Sequence, residues 1–268
     1  MSDILNPRCV YVGIRDVSTS LDRLRDMGLG VEVIFNTTAD LWPKVKWDVL
    51  LGLADDLSEM QIPVACHGPF YNLNIAAKDE HIADYSYQVL AAGIEGARVL
   101  GSPLMVFHTG YLPQLPPAQR EKWLDTFCNK LHHLLEVAAD NRIVLAMENT
   151  YEPDTTLFED VFARIQHPFL GMCLDTGHAS CFGKVPPVQW VERFCEQIVH
   201  LHFSDNDGVS DLHWGLGKGV VSLSSLLGPL LARGARPSVT FEVSLDDAAA
   251  SNEYLNRVLA AALPTGHE

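Results

Sequence analysis

The chain has 268 residues, of which 47% are hydrophobic and 20% are charged, and its formal net charge is −15 at pH 7. This composition is ordinary for a globular protein and excludes a collagen-like, coiled-coil or disordered chain. No apolar run approaches the roughly 18 residues that a membrane span requires. The N-terminus, MSDILNPRCV, lacks the basic and apolar regions of a secretory signal. We therefore expect a soluble, cytoplasmic protein with no membrane partner.

The acidic charge also bears on nucleic-acid binding. No row of Lys or Arg is visible that could displace the counterions of a duplex, so stable binding to duplex DNA is not expected. The six cysteines are scattered and form no CxxC pair, which excludes zinc ribbons and fingers and predicts reduced thiols.

Short β-branched apolar runs alternate with helical patterns along the whole chain. Two of the helical stretches, Asp84–Leu100 and Pro117–Ala138, repeat apolar residues every three or four positions. Eight strand–helix units predict an α/β fold, a single (β/α)8 TIM barrel that makes one domain of residues 1–268. The predicted strands are Cys9–Ile14, Gly30–Phe35, Pro63–His67, Leu104–His108, Ile143–Glu148, Gly171–Asp175, Ile198–Phe203 and Ser238–Val243.

Ligand-type side chains stand at or near the ends of the last six predicted strands. In a barrel these ends converge on one face, where active sites of this architecture are built. Imidazole and carboxylate groups brought to one point are ligands for zinc, manganese or a similar divalent ion. The six residues are His67, His108, Glu148, Asp175, His202 and Glu242.

Three further candidates follow those strands: His178, in Asp175-Thr-Gly-His178, and the pair Asp211 and His213. Alternate residues of an extended segment point to one side, so the Asp-Leu-His pair can present both side chains together. His200 shares a face with His202 and is a candidate for supporting it. Asn149 and Thr176 stand next to candidate ligands and are expected to orient them.

Several segments together resemble the xylose isomerase-like TIM-barrel superfamily, from the third predicted strand to the eighth. This superfamily contains endonuclease IV-type apurinic endonucleases and many sugar isomerases and epimerases. The most specific segment is Gly171-Met-Cys-Leu-Asp175-Thr-Gly-His178. The others are His67-Gly-Pro-Phe-Tyr-Asn-Leu-Asn, Phe107-His108-Thr-Gly, Ala146-Met-Glu148-Asn-Thr, His200-Leu-His202-Phe-Ser-Asp, Asp211-Leu-His213-Trp-Gly-Leu-Gly-Lys-Gly and Thr240-Phe-Glu242-Val.

The resemblance implies one of two metal centres. In the isomerase and epimerase branch, one divalent ion is held by Glu148, Asp175, His202 and Glu242, and the two glutamates act as acid and base. The endonuclease IV branch uses nine ligands around three zinc ions. All nine have counterparts here: His67, His108, Glu148, Asp175, His178, His202, Asp211, His213 and Glu242.

Charge favours the larger centre. A single ion leaves Asp211 without a partner, whereas three ions outweigh the four carboxylates and attract a hydroxide and a phosphate oxygen. The leading hypothesis is therefore a phosphoester hydrolase with one to three divalent ions per chain, zinc before manganese or iron. Glu148, Glu242 and His178 are its candidate catalytic residues, with Glu148 placed to bridge two ions.

Departures from the endonuclease pattern keep other hypotheses open. Phe70 stands where that branch has Tyr, although Tyr71 follows, and the stretch from His202 to Asp211 is shorter and lacks the expected Asn and Lys. We therefore expect a small phosphorylated or sugar substrate rather than bulk DNA. The alternatives are a sugar or sugar-phosphate isomerase or epimerase and a non-catalytic metal-binding protein. The candidate substrate contacts are Phe70, Tyr71, Trp214 and Lys218, with Lys218 facing an anionic group.

Overall fold

The computed structural model describes residues 5–35 and 46–262. Within these ranges eight parallel strands pair in chain order and close into a barrel, β8 pairing with β1. The predicted (β/α)8 barrel is confirmed. The strands are β1 Arg8–Gly13, β2 Gly30–Ile34, β3 Val64–His67, β4 Leu104–His108, β5 Val144–Glu148, β6 Leu170–Asp175, β7 Ile198–Phe203 and β8 Ser238–Phe241.

Helices on the outside of the barrel connect the strands. Two short helices, rather than one long one, lie between β6 and β7. The helices in the described ranges are α1 Val17–Met27, α2 Trp47–Glu59, α3 Glu80–Val99, α4 Pro117–Asn141, α5 Thr156–Arg164, α6 Thr176–Cys181, α7 Val188–Phe194, α8 Leu223–Ala232 and α9 Leu245–Ala262. None of them combines the length and apolar character needed to cross a bilayer.

The predicted strands agree with the observed ones to within two residues, but both predicted helices are longer than expected. Helix α3 begins at Glu80 because the carboxylate of Asp79 accepts a hydrogen bond from the His81 amide and caps the first turn. Helix α4 continues to Asn141 and ends where Arg142 adopts a left-handed conformation, with φ 59°.

The apolar core has two parts. The larger part lies between the strands and the helices and includes the fully buried Phe127, Phe158 and Trp190. A smaller, separate cluster consists mostly of compact side chains from the strands: Cys9, Ala65, Leu104, Val106, Ala146 and Cys173.

Strand alternation connects the smaller cluster with the predicted ligands. Residues two apart on a strand point to the same face, so His67 follows Ala65 and Glu148 follows Ala146 on the inner face of the barrel. The parallel register then sets His108 opposite Glu148, and Asp175 opposite His202. The carboxyl ends of the strands therefore carry a polar layer directly above these small side chains.

Gly30 fixes how closely β2 can approach its neighbours. A Cβ atom at this position would lie 2.5 Å from the carbonyl oxygen of Pro63 and 2.8 Å from Sγ of Cys9. Gly52, in contrast, lies on the exposed side of α2, and a Cβ atom there would meet nothing within 4 Å.

We expect Gly30→Ala to lower the free energy of unfolding by about 1–3 kcal/mol, because the backbone of Pro63 cannot yield as a flexible side chain can. Gly52→Ala should raise it by about 0.5–1 kcal/mol, since alanine is the better helix former. Denaturant unfolding of both variants measures the two values. Equal effects in both would contradict the packing assigned to β2.

Candidate metal centre

A cavity of about 620 Å³ opens at the carboxyl ends of the strands. Seven of the nine predicted ligands line it, and the other two, Asp175 and His202, are buried among them. The lining ligands are His67, His108, Glu148, His178, Asp211, His213 and Glu242. The structure thus brings all nine together.

The first group of ligand atoms comes from β3, β4 and β5. The Nε2 atoms of His67 and His108 lie 3.1 Å and 2.9 Å from the same oxygen, Oε2 of Glu148. Two imidazole nitrogens and a carboxylate oxygen at this spacing can hold one divalent ion.

The second group comes from β5, β6, β7 and the end of β8. Nδ1 of His202 lies 3.2 Å from Oε1 of Glu148, 3.3 Å from Oε1 of Glu242 and 3.8 Å from Oδ2 of Asp175. These four residues also form a possible ion site. Oε2 of Glu148 faces the first group and Oε1 faces the second, so this carboxylate belongs to both groups.

The third group is formed by α6 and the loop after β7. Oδ2 of Asp211 lies 3.4 Å from Nε2 of His178 and 3.0 Å from Nε2 of His213. The side chains of Asp211 and His213 therefore do point to one side, as the Asp-Leu-His pattern predicts.

A buried carboxylate organises the loop that carries Asp211 and His213. Asp205, 1% exposed, accepts hydrogen bonds from the amides of Gly217, Gly219 and Val221 at 2.9–3.0 Å. Its own backbone also pairs with that of Trp214 in both directions. The loop is thereby folded back on itself, which fixes the position of His213 at the cavity.

Backbone carbonyls hold three of the histidine rings. The Nδ1 atoms of His67, His178 and His213 lie 2.8–3.0 Å from the carbonyl oxygens of Gly68, Asn149 and Glu242, respectively. A carbonyl can only accept, so each Nδ1 carries a proton, and Nε2 is the nitrogen that can bind an ion when the ring is neutral.

Asn149 and Thr176 act through the main chain rather than on ligand side chains. The amide group of Asn149 exchanges two hydrogen bonds with the backbone of Asp175, at 2.8 Å and 2.9 Å. The Thr176 hydroxyl donates to the carbonyl of His202 at 3.2 Å. Both contacts fix the backbone from which the ligands project.

The charges of the site favour cation binding. Burial raises the pKa of Glu242 to about 7, and the negative charges of Asp175 and Glu148 add to the rise against the opposing effect of His202. Burial lowers the pKa of His213, but its hydrogen bond to Asp211 and the charge of Glu242 outweigh this and raise it to about 9. The ionised form of Glu242 is thus disfavoured by its burial beside two other carboxylates, and a divalent cation at this point would favour it.

Two buried oxygens of the candidate ligands indicate that divalent ions fit this site. Oδ2 of Asp175 and Oδ1 of Asp211 have no hydrogen-bond partner among the described residues. Buried carboxylate oxygens without a donor carry a large desolvation cost, which a divalent ion removes. The donor set of imidazole and carboxylate suits zinc, manganese or iron.

The predicted substrate contacts divide into two pairs. Phe70 and Tyr71 line the cavity, whereas Trp214 and Lys218 are not among its lining residues. The ammonium of Lys218 instead pairs with the carboxylate of Asp247 at the start of α9. The loop turns Lys218 toward this helix, so its proposed contact with an anionic substrate group is not supported by its position.

Sequence reasoning missed Glu32, a fully buried acid in the middle of β2. His200, expected to support His202, contacts this residue instead: its Nε2 lies 2.9 Å from Oε2 of Glu32. The available signal was a glutamate flanked by valines in a strand that is otherwise apolar.

The comparisons with known proteins agree with this fold. A family model described as xylose isomerase-like TIM barrel matches residues 21–260, and the chain belongs to this family. A Thermus thermophilus protein whose crystal was soaked in zinc chloride is 27% identical, with a TM-score of 0.82 over 95% of this chain and 98% of that one. A D-tagatose 3-epimerase-like protein is 25% identical, with a TM-score of 0.84 over 95% and 97% of the two chains.

An endonuclease is also among the relatives. A probable endonuclease 4 of Aquifex aeolicus is 24% identical over 223 residues, which are 75% of this chain and 78% of that protein. The predicted resemblance is therefore confirmed, and both kinds of enzyme that it implied occur among the proteins similar to this chain.

Zinc affinity of the third group should fall as the pH is lowered. His213, with its pKa raised to about 9, is protonated at neutral pH, and this proton must leave before the ring can bind an ion. Affinity should therefore drop by at least about tenfold per pH unit below that pKa, because the charge of Asp175 outweighs burial and raises the pKa of His178 in the same group as well. Calorimetric titration of the metal-free protein with zinc, in two buffers of different ionisation enthalpy, measures the protons released.

His213→Ala should reduce the number of protons released on zinc binding by one. Zinc affinities that are equal at about pH 6 and about pH 8 would show that no ligand proton is displaced.

Proposed function

We propose that the protein is a metal-dependent hydrolase with a multinuclear centre, and that a phosphoester is the bond it cleaves. One observation carries this proposal: nine ligand-type side chains form three adjoining groups at one cavity, two of which are possible ion sites that share Glu148, while Asp211 lies between His178 and His213 in the third. A one-ion mechanism has no use for the third group.

The charge of the centre favours an anionic reacting group. Three divalent ions bring six positive charges against four carboxylates, those of Glu148, Asp175, Asp211 and Glu242. Ions in such a centre supply a water of low pKa and a clamp on the leaving oxygen. The chain itself holds Glu148 between the groups and sets Glu242 at the cavity wall, where its carboxylate can accept a proton.

The rim of the cavity suits an apolar portion of the substrate. Tyr71 and Tyr151 are 60% and 56% exposed. They belong to a set of apolar and aromatic side chains that line the cavity, which we call the collar. None of the described lining residues is a lysine or arginine. We therefore expect a small substrate whose organic part packs on this collar, which comprises Phe70, Tyr71, Leu73, Tyr111, Leu112, Tyr151 and Phe182.

A second candidate function is epimerisation of a sugar. The group of Glu148, Asp175, His202 and Glu242 suffices for one ion, and the similarity to a D-tagatose 3-epimerase-like protein favours this alternative. In it, the two glutamates move a proton to and from one carbon of the sugar, and Asp211 and His213 have no ligand role.

Substitutions in the third group separate the two functions. Asp211→Asn and His213→Ala should each lower kcat/KM for bis(4-nitrophenyl) phosphate by about a hundredfold or more in the zinc-loaded protein, since an ion is lost from the hydrolytic centre. Asp207→Asn, an exposed position in the same loop, is the matched control and should change it by less than about twofold.

Epimerisation of a ketohexose and the zinc content per chain are measured on the same preparations. If both third-group variants keep wild-type epimerase turnover while Glu242→Gln has none, the hydrolase proposal is wrong and the epimerase takes its place.

Duplex DNA should bind weakly at physiological salt. The net charge is −15, and the described wall of the cavity offers no lysine or arginine to a row of phosphates. Fluorescence anisotropy of a labelled duplex at several salt concentrations tests this. Tight binding that weakens steeply with added salt would contradict this prediction and support DNA as the substrate.

A further inference from the structure

Glu32 lies inside the barrel beneath the candidate metal centre and takes no part in the proposed chemistry. Its side chain is fully buried, and it belongs to β2, which contributes none of the nine ligands. An ionised carboxylate at such a place is costly unless donors surround it. The groups that surround Glu32 therefore indicate its role.

The ring of His202 links Glu32 to the second ligand group. Nε2 of His202 lies 3.1 Å from Oε1 and 3.3 Å from Oε2 of Glu32. Nδ1, on the other side of the ring, faces the carboxylates of Glu148 and Glu242. A carboxylate below the ring holds a proton on Nε2, which leaves the lone pair of Nδ1 directed at the ion site.

Two neighbouring strands hold the Glu32 carboxylate in this position. On β8, the Thr240 hydroxyl donates to Oε2 at 2.6 Å. On β7, Nε2 of His200 lies 2.9 Å from the same oxygen, and its Nδ1 lies 2.6 Å from the hydroxyl of Ser238. The Ser238 hydroxyl can donate to Nδ1 of His200, whose Nε2 then carries the proton that is donated to Glu32.

We propose that Glu32 is a positioning residue for the metal centre: it fixes the tautomer and orientation of His202 and strengthens Nδ1 as a ligand. A carboxylate behind a metal-binding imidazole raises the basicity of the ring, and loss of such a partner typically costs about 10–100-fold in metal affinity. Both candidate functions use His202, so this role is independent of which reaction the protein catalyses.

Glu32→Gln tests the proposal with little change of shape. Glutamine keeps an oxygen that can accept from His202 but removes the negative charge. Competition with a chelating dye should show one zinc ion bound about 10–100-fold more weakly. Glu152→Gln is the matched control, because Glu152 is also buried and its carboxylate bonds to Thr109 and Thr150, not to a ligand. Its zinc affinity should stay within about twofold.

A second readout reports on the ring itself. In protein labelled with ¹⁵N-histidine and loaded with zinc, the Nε2–H proton of His202 should give a resonance protected from exchange. This resonance should move in Glu32→Gln and stay in place in Glu152→Gln.

Thr240→Val serves if Glu32→Gln does not fold, since valine keeps the shape of threonine and removes the hydroxyl that holds Glu32. It should shift the same resonance and weaken zinc binding in the same direction. The proposal fails if a folded variant lowers the melting temperature alone, with zinc affinity and the His202 resonance unchanged. It also fails if Glu32→Gln loses one whole zinc equivalent while the remaining affinities stay the same, because Glu32 would then itself be a ligand.

Discussion

A carboxylate buried away from water must have its oxygens met by donors or cations, and Glu148 meets this requirement from two sides. One oxygen faces the rings of His67 and His108, and the other faces Nδ1 of His202. Without cationic partners this group, 1% exposed, would be among the costliest in the molecule. With them, its place at the end of β5 fixes how far apart the first two ligand groups lie.

The barrel makes this arrangement possible through the size of its inner side chains. Ala65 and Ala146 stand two residues before His67 and Glu148 on the same strand faces, so these small side chains lie beneath the polar layer and leave room for it. Larger side chains at these two positions would push the ligand side chains outward. Close approach of the strands, which Gly30 allows at β2, serves the same geometry.

The barrel and the convergence of the six strand-end ligands could be predicted because both follow from period and position, whereas the nine-ligand set that adds His178, Asp211 and His213 was implied by the family resemblance. A parallel barrel gathers its strand ends at one mouth, so a histidine or acid at a strand end, such as His108 or Asp175, can be placed without coordinates. Glu32 could not be placed in this way, since a mid-strand acid gives no indication of its partners. Its partners, His200 and Thr240, lie on strands far away in sequence.

The loop after β7 shows the other limit of sequence reasoning. Lys218 follows the ligand pair closely in sequence, yet it points to Asp247 on α9. The direction of a loop side chain depends on the contacts that fix the loop backbone. Here the buried carboxylate of Asp205 fixes it by accepting hydrogen bonds from the amides of Gly217, Gly219 and Val221. No local pattern in the sequence predicts the hydrogen bonds between Asp205 and these amides.

The division of the ligands between strands and connecting segments has an evolutionary consequence. The strands and their ends carry the first two groups, whereas α6 and one loop carry the third. Loops tolerate insertion, deletion and replacement far better than barrel strands do. A lineage can therefore gain or lose the ligand pair of Asp211 and His213 by exchanging one loop while the barrel stays intact. Under the proposed function, such an exchange changes the number of ions that the centre holds, and hence its chemistry.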